Sequence, residues 1–271
     1  MNVITDFLRT KNSSCALVPF ITAGYPNINI CIQALKVLDK KGADVIELGI
    51  PYSDALADGP VIQQASHIAL KQGVYIEQVL DILKRVVPDL NAPIIIFTYY
   101  NPVLVRGVDK FISEISQAGA QGLIIPDLPL EEVDYIIELC DLYSIELILF
   151  ISPTSSESRI QLILSKSPGC IYLVSNFGVT GVRDNINLTI KYLADDIKSK
   201  TNKLIILGFG ISHPKQVAQI VNWNIDGIVV GSAMINQMDD KLSEDILYSL
   251  GKFCQELKFS INTESKKNNL F

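Results

Sequence analysis

The sequence predicts an α/β protein folded as a single-domain (β/α)8 TIM barrel, with an extra N-terminal helix and extended loops after strands 2 and 6. Eight short apolar runs of strand length alternate with segments of helical periodicity. Their centres recur at intervals of roughly 23–32 residues, apart from one wider gap after the second run. The chain length of 271 residues also suits one barrel domain. An open doubly wound sheet is the alternative, but it normally has a GxGxxG fingerprint after its first strand, and none occurs here.

The predicted strands cover residues 16–21, 44–49, 93–98, 122–125, 145–151, 170–174, 203–207 and 226–230. The predicted helices between them cover residues 28–41, 76–87, 108–118, 130–143, 157–166, 188–198 and 214–222. Residues 1–11 show helical spacing and supply the extra helix, residues 61–71 form a further helical piece, and residues 241–259 form the last helix. We assign residues 1–260 to the barrel and predict a disordered polar tail over residues 261–271.

Composition narrows the class of function. The chain is 48% hydrophobic and 19% charged with a net charge of -6, which argues against a nucleic-acid partner. No apolar run approaches the roughly 20 residues that a membrane-spanning helix needs. Five widely spaced cysteines without a CxxC pair indicate free thiols in a reducing compartment. The two histidines, His67 and His213, lack the spacing of metal ligands, so we expect no metal site.

The most informative stretch covers residues 43–63, at the end of the second strand. Glu47 interrupts an apolar run, and strand alternation places it on one face with Val45 and Gly49. A carboxylate buried in such a run tends to raise its pKa rather than stay charged. Asp54 and Asp58 follow on the next loop, and we expect Asp58 to remain charged there. Two carboxyls in unlike surroundings favour paired proton transfer. The alternative is a hydrogen-bonded strand-end glutamate followed by an ordinary Asp-rich turn.

Three glycine-containing segments follow the last three strands, at residues 178–181, 207–212 and 230–233. Glycines let backbone N–H groups approach an anion closely, and barrels often bind phosphate after strands seven and eight. Any one of these segments alone is more often a turn. Together they predict a phosphate site at the carboxyl ends of the strands.

The segment ELGIPYSDALADGPVIQ resembles the signature of the tryptophan synthase alpha chain family. The resemblance extends through PFITAGYP, YYNPV, IPDLPLEE, VSNFGVTG, GFGIS and VVGSA, and leaves only the tail outside. The family more often has proline where this chain has Ala55, and often arginine and a small residue where it has Asn176 and Phe177. These departures concern the stiffness and closure of loops, and they leave both carboxylates in place.

The resemblance implies a lyase that performs the retro-aldol cleavage of indole-3-glycerol phosphate into indole and glyceraldehyde 3-phosphate, with Glu47 and Asp58 as the catalytic residues. It places the phosphate on Gly181, Gly210, Gly231 and Ser232. It places the indole among Phe20, Tyr100, Ile124, Tyr172 and Phe209. Thr180 and Asp127 would take part in loop closure, and Asp54 and Pro129 would face a partner.

The implied partner is a tryptophan synthase beta chain in an alpha2-beta2 assembly. No cofactor is expected on this chain, and pyridoxal phosphate is expected on the partner. The implied compartment is the cytoplasm or the plastid stroma. Three other functions remain open: a stand-alone lyase that releases free indole, a catalytically silent ligand-binding regulatory subunit, and a barrel acting on a different sugar phosphate.

Overall fold

The computed structural model describes residues 2–11, 15–174, 188–208, 210–239 and 242–268. Eight parallel strands form a closed barrel in sequence order, and the eighth strand pairs back to the first. The strands are β1 (Ala16–Thr22), β2 (Ile46–Gly49), β3 (Ile94–Phe97), β4 (Gly122–Ile124), β5 (Glu146–Ile151), β6 (Ile171–Val174), β7 (Ile205–Gly208) and β8 (Gly227–Val230). The predicted (β/α)8 fold is confirmed.

Helices surround the strands. They are α1 (Val3–Arg9), α2 (Ile28–Lys40), α3 (Pro60–Lys71), α4 (Ile76–Val86), α5 (Tyr100–Arg106), α6 (Val108–Gln117), α7 (Val133–Leu142), α8 (Glu157–Lys166), α9 (Leu188–Lys200), α10 (Pro214–Ile220), α11 (Ser232–Gln237) and α12 (Ser243–Asn268). The predicted extra helix is α1, and the predicted long loop after the second strand covers residues 50–59. The predicted long loop after the sixth strand falls on residues 175–187, outside the described residues.

The strands are buried on both faces, as expected for parallel strands covered by helices. Their register decides which side chains meet inside the barrel. Phe20 of β1 pairs with Glu47 of β2, and Glu47 pairs with Ile95 of β3. Residues that pair across parallel strands point to the same side, so these side chains share the interior. The strand register therefore places the Glu47 carboxyl group among apolar side chains inside the barrel.

Two carboxylates hold the opposite end of the barrel, where the strands begin. The buried Glu146 accepts hydrogen bonds from the backbone N–H of Thr5 and of Cys170, both at 2.9 Å, and from the Thr5 hydroxyl. Asp44 accepts from the Leu17 N–H at 2.8 Å and from the Lys258 ammonium at 2.5 Å. These contacts fix α1 and α12 against the barrel. They serve stability, since barrel chemistry is built at the other end.

The predicted disordered tail is wrong for residues 261–268, because α12 continues through them to Asn268. Ile261 is fully buried and extends the apolar stripe of this helix. The stripe follows helical spacing and consists of Ile246, Leu250, Cys254, Leu257 and Ile261. Burial of that stripe outweighs the polar composition that suggested disorder. Residues 269–271 lie outside the described residues.

Helix α5 was not predicted: it lies between the strand predicted over residues 93–98 and the helix predicted over residues 108–118. Pro102 is the third residue of α5, in the first turn, where a missing N–H removes no helical hydrogen bond.

All five cysteines are free and buried, as predicted. None of the helices in the described ranges combines the length and hydrophobicity needed to cross a bilayer.

Candidate active site

A cavity opens at the carboxyl ends of the strands, and it brings together seven of the predicted site residues. Its lining residues are Phe20, Glu47, Asp58, Ile62, Phe97, Tyr172, Gly210, Ile211, Ser212, Val229, Gly231, Ser232 and Ala233. Seven of these thirteen are predicted site residues, from both catalytic positions, the phosphate segments and the indole wall. Residues more than 200 positions apart in sequence therefore meet in one space.

Glu47 is the ionisable group at the base of this cavity. Its side chain is only 2% exposed, and its Oε2 atom has no hydrogen-bond partner among the described residues. Burial and, to a lesser extent, the nearby charge of Asp58 together raise the pKa of the Glu47 carboxyl to about 8. At neutral pH this group is therefore mostly protonated. It holds a proton that it can donate into the cavity.

Asp58 lies on the loop after β2 and is also buried, with 5% of its surface exposed. Asp58 therefore lies on the predicted loop, but at a buried position that the sequence did not show. Burial raises the pKa of the Asp58 carboxyl, a hydrogen bond from the Tyr99 hydroxyl offsets part of that rise, and the resulting pKa is about 6. Asp58 is thus mostly ionised at neutral pH, whereas Glu47 is mostly protonated. The two carboxyls hold unlike protonation states in one cavity.

The loop that carries Asp58 is tied to the rest of the fold by two side chains. The Gln63 amide on α3 donates to the carbonyl oxygens of Ala55 at 3.2 Å and Asp58 at 3.0 Å. The Tyr99 hydroxyl accepts from the Ala57 N–H at 3.1 Å. Ala55, where the resembled family often has proline, is buried within this loop. Side-chain contacts therefore hold the loop without a proline at that position.

The glycine segments after β7 and β8 form the opposite side of the cavity. Gly210 has a φ of +82°, a left-handed conformation that favours glycine. A Cβ added at Gly231 would lie 3.5 Å from Ile62 and 3.6 Å from Phe20, ordinary contact distances at the cavity wall. None of the lining residues that the structure describes is Lys, Arg or His. An anion here would therefore depend on backbone N–H groups and on the hydroxyls of Ser212 and Ser232.

Aromatic and aliphatic side chains form the remaining wall. Phe20 and Phe97 meet edge to face, with ring centroids 5.8 Å apart. Tyr172 packs on Phe150 with ring centroids 4.7 Å apart, and burial raises the pKa of its hydroxyl far above the usual value. Our sequence analysis missed Phe97, although it is an aromatic residue at the end of a predicted strand. It also missed Ile62, since periodicity alone does not show which helix reaches the barrel mouth.

Two predicted indole-wall residues are not among the lining residues. The Tyr100 hydroxyl donates to the Glu132 carboxylate, and its backbone N–H donates to Asp127 at 2.8 Å. Ile124 pairs with Phe97 in the barrel register and is buried in β4. Gly181, Thr180 and Phe209 lie outside the described residues, as do Asn176 and Phe177.

The predicted partner-facing residues are both exposed near the mouth of the barrel. Asp54 accepts a hydrogen bond from the Ser53 hydroxyl at 2.7 Å, and Pro129 follows β4. Exposed apolar side chains occur on the same loops and on α5: Leu56 and Val105 are each 80% exposed. A groove of about 700 Å³ separates residues 50–53 from α5. This end of the molecule therefore has an apolar surface beside the cavity.

A closed barrel with two buried carboxyls of opposite protonation state at its mouth is an acid–base enzyme of the (β/α)8 class. The family model described as "Tryptophan synthase alpha chain" matches residues 7–262. The tryptophan synthase alpha chain of Gracilaria tenuistipitata var. liui is 76% identical over 265 residues, covering 98% of this chain and 99% of that protein. The one from Antithamnion sp. is 58% identical over 258 residues, covering 95% and 98%.

Solved structures agree with this match. The tryptophan synthase subunit alpha from Legionella pneumophila str. Paris superposes with a TM-score of 0.86 at 31% identity, covering 97% of this chain and 99% of that one. The chain belongs to the tryptophan synthase alpha chain family. It is a carbon–carbon lyase that cleaves indole-3-glycerol phosphate to indole and glyceraldehyde 3-phosphate in tryptophan biosynthesis.

Proposed function

We propose that Glu47 is the general acid and base of this cleavage and that Asp58 stabilises the charge that develops on the indole ring. The observation that carries the proposal is the Glu47 carboxyl itself: it lines the cavity, it is buried, and one of its oxygens has no hydrogen-bond partner in the part of the chain that the structure describes. Its pKa of about 8 leaves it protonated at neutral pH. A catalytic acid needs such a pKa near the working pH.

The reaction divides into two proton transfers by the same group. First, the Glu47 carboxyl donates its proton to C3 of the indole ring, which turns the ring into an electron-accepting iminium. The Asp58 carboxylate accepts a hydrogen bond from the indole N–H and offsets the positive charge on the ring. Next, the Glu47 carboxylate removes the proton from the hydroxyl on the side-chain carbon attached to C3.

Loss of that hydroxyl proton breaks the carbon–carbon bond. The oxygen electrons form the aldehyde carbonyl of glyceraldehyde 3-phosphate, and the bond electrons return to the ring and restore neutral indole. Glu47 ends the cycle protonated, as it began, so no external acid or base is consumed. Each transfer is an ordinary general acid–base step, typically worth about 10²–10⁴-fold in rate.

The phosphate of the substrate is proposed to bind Gly210, Gly231 and Ser232, with Gly181 as a further contact. The absence of basic side chains among the described lining residues supports backbone N–H groups as its ligands. The indole ring is proposed to lie against Phe20, Phe97 and Tyr172, which form the apolar side of the same cavity. Thr180 is proposed to join Asp58 when the loops close over substrate.

We further propose a beta chain as the partner, in an alpha2-beta2 assembly, with pyridoxal phosphate bound to the beta chain. Asp54 and Pro129 would face it, and the exposed Leu56 and Val105 support an apolar contact at this end of the barrel. Burial of all five cysteines as free thiols suits a reducing compartment, the cytoplasm or the plastid stroma.

The test is incubation of the purified chain with indole-3-glycerol phosphate, with and without a beta chain, while indole and glyceraldehyde 3-phosphate are followed. We expect slow release of both products by the chain alone and a much higher rate with the partner. A rate that the partner leaves unchanged would support the stand-alone lyase instead. Release of products by Glu47→Gln at the wild-type rate would refute the proposed acid.

A further inference from the structure

We propose that Tyr99 is a positioning residue for the cleavage reaction, whose hydroxyl holds the Asp58 carboxyl in the orientation that meets the substrate. This inference rests on the role proposed for Asp58. Tyr99 directly follows β3 and is only 2% exposed. It is not among the residues that line the cavity, so it acts through Asp58 and has no contact with substrate.

The Tyr99 hydroxyl makes two hydrogen bonds to the catalytic loop. It accepts from the Ala57 N–H at 3.1 Å and donates to the side chain of Asp58. Burial, followed by the charge of Asp58, raises the pKa of the Tyr99 phenol above its usual value. The hydroxyl therefore keeps its proton and remains a donor while Asp58 is ionised. One atom thus fixes both the backbone before Asp58 and its carboxyl.

The ring that carries this hydroxyl is held by packing. Its centroid lies 5.4 Å from that of Tyr52 and 6.0 Å from that of Phe97, the latter edge to face. Phenylalanine would keep these contacts and remove only the two hydrogen bonds. Gln63 still binds the carbonyl oxygens of Ala55 and Asp58, so the loop backbone keeps a second tie. The expected loss in Tyr99→Phe is therefore one of carboxyl orientation rather than of fold.

The experiment compares wild type, Tyr99→Phe and a matched control, Tyr143→Phe. The Tyr143 hydroxyl also donates to a carboxylate, that of Asp109 at 3.0 Å, but it follows α7 at the opposite end of the barrel. Indole release is measured across pH, and binding of glycerol phosphate by calorimetry. For Tyr99→Phe we expect kcat to fall about tenfold or more, with KM and glycerol phosphate affinity within about twofold.

The acid limb of the kcat profile should also move up by about 0.5–1 pH unit, because a hydrogen bond that favours ionised Asp58 is lost. In an Asp58→Asn background, Tyr99→Phe should add little further loss, since both changes act on one group. Tyr143→Phe should match wild type in every measurement. Melting temperatures of all variants report whether the fold is retained.

Three results would overturn the inference: a wild-type kcat and acid limb in Tyr99→Phe, an equal loss at every pH with the limb unmoved, or a fully additive loss in the Asp58→Asn background. Collapse of the melting temperature in Tyr99→Phe would also overturn it, because Tyr99 would then support the fold as a whole. Failure of the proposed function looks different. In that case, wild type itself releases no indole.

Discussion

Replacement of Glu47 by glutamine keeps the shape of the side chain and removes its titration. Glu47 is 2% exposed, and the pKa of its carboxyl rises from an ordinary 4.5 to about 8 on burial. Between these two pH values the folded chain holds a proton that the unfolded chain has lost. The free energy of unfolding of wild type therefore falls as pH rises through this window. A glutamine at position 47 has no such dependence.

The size of the effect follows from the two pKa values. Each pH unit inside the window costs about 1.4 kcal/mol, so from about pH 5.5 to about pH 8 wild type loses roughly 3 kcal/mol that Glu47→Gln keeps. We therefore expect Glu47→Gln to be more stable than wild type at the higher pH by about 1–3 kcal/mol. The same variant should lose about 10²–10⁴-fold or more in cleavage rate. A gain in stability with a loss of activity marks a group buried for catalysis.

The assay is urea unfolding followed by circular dichroism at both pH values, with Glu146→Gln as the matched control. Glu146 is likewise a buried glutamate, but its carboxylate accepts hydrogen bonds from Thr5 and Cys170. Its replacement should destabilise the chain, because an amide cannot accept all of those bonds. A stability difference between wild type and Glu47→Gln that does not change with pH would refute the proposed protonation of Glu47.

Other substitutions test the phosphate site, the partner surface and the proposed loop closure. Gly231→Val should fold, since a Cβ at this position meets Ile62 and Phe20 at ordinary contact distances. It should weaken the binding of glycerol phosphate, measured by calorimetry, by about tenfold or more. Unchanged binding would show that Gly231 is not part of the phosphate site. Val105→Asp should leave the activity of the isolated chain unchanged and reduce activation by a beta chain, because a charge replaces an exposed apolar side chain. Full activation of this variant would show that the partner binds a different surface. Thr180→Val should lower the cleavage rate much more than it lowers the affinity for a substrate analogue. A role in closure would be contradicted if bound ligand protects residues 175–183 from protease equally well in the variant and in wild type.

Much of the fold is readable from the sequence because parallel strands buried on both faces form short, continuous apolar runs. The eight predicted strands each overlap the observed one. Helix α5 escaped prediction because its proline sits in the first turn, where it does no harm. The end of α12 escaped because its polar residues obscured a single buried position, Ile261. In both cases the position of a single residue, Pro102 in α5 or Ile261 in α12, decides the structure more than the composition of the segment does.

The candidate site was readable only in part. Glu47 stood out as a carboxyl inside an apolar strand, which sequence alone can show. The burial of Asp58 could not be read in that way, since it depends on contacts with Tyr99 after β3 and with Gln63 on α3, which only the folded barrel shows. Phe97, which ends β3 and lines the cavity, was not predicted for the indole wall, because the sequence does not show which strand-end side chain faces inward.

The central claim is that the two carboxyls work in opposite protonation states, with Glu47 protonated and Asp58 ionised. Its most direct test is the pH dependence of kcat/KM for indole release by wild type and Asp58→Asn, since kcat/KM reports the pKa values of the free enzyme. Wild type should give a bell with an acid limb at about 6 and an alkaline limb at about 8. The acid limb should disappear in Asp58→Asn, which separates it from titration of the substrate phosphate. A rate that stays flat above about pH 8, or an acid limb that survives in Asp58→Asn, would contradict the division of roles.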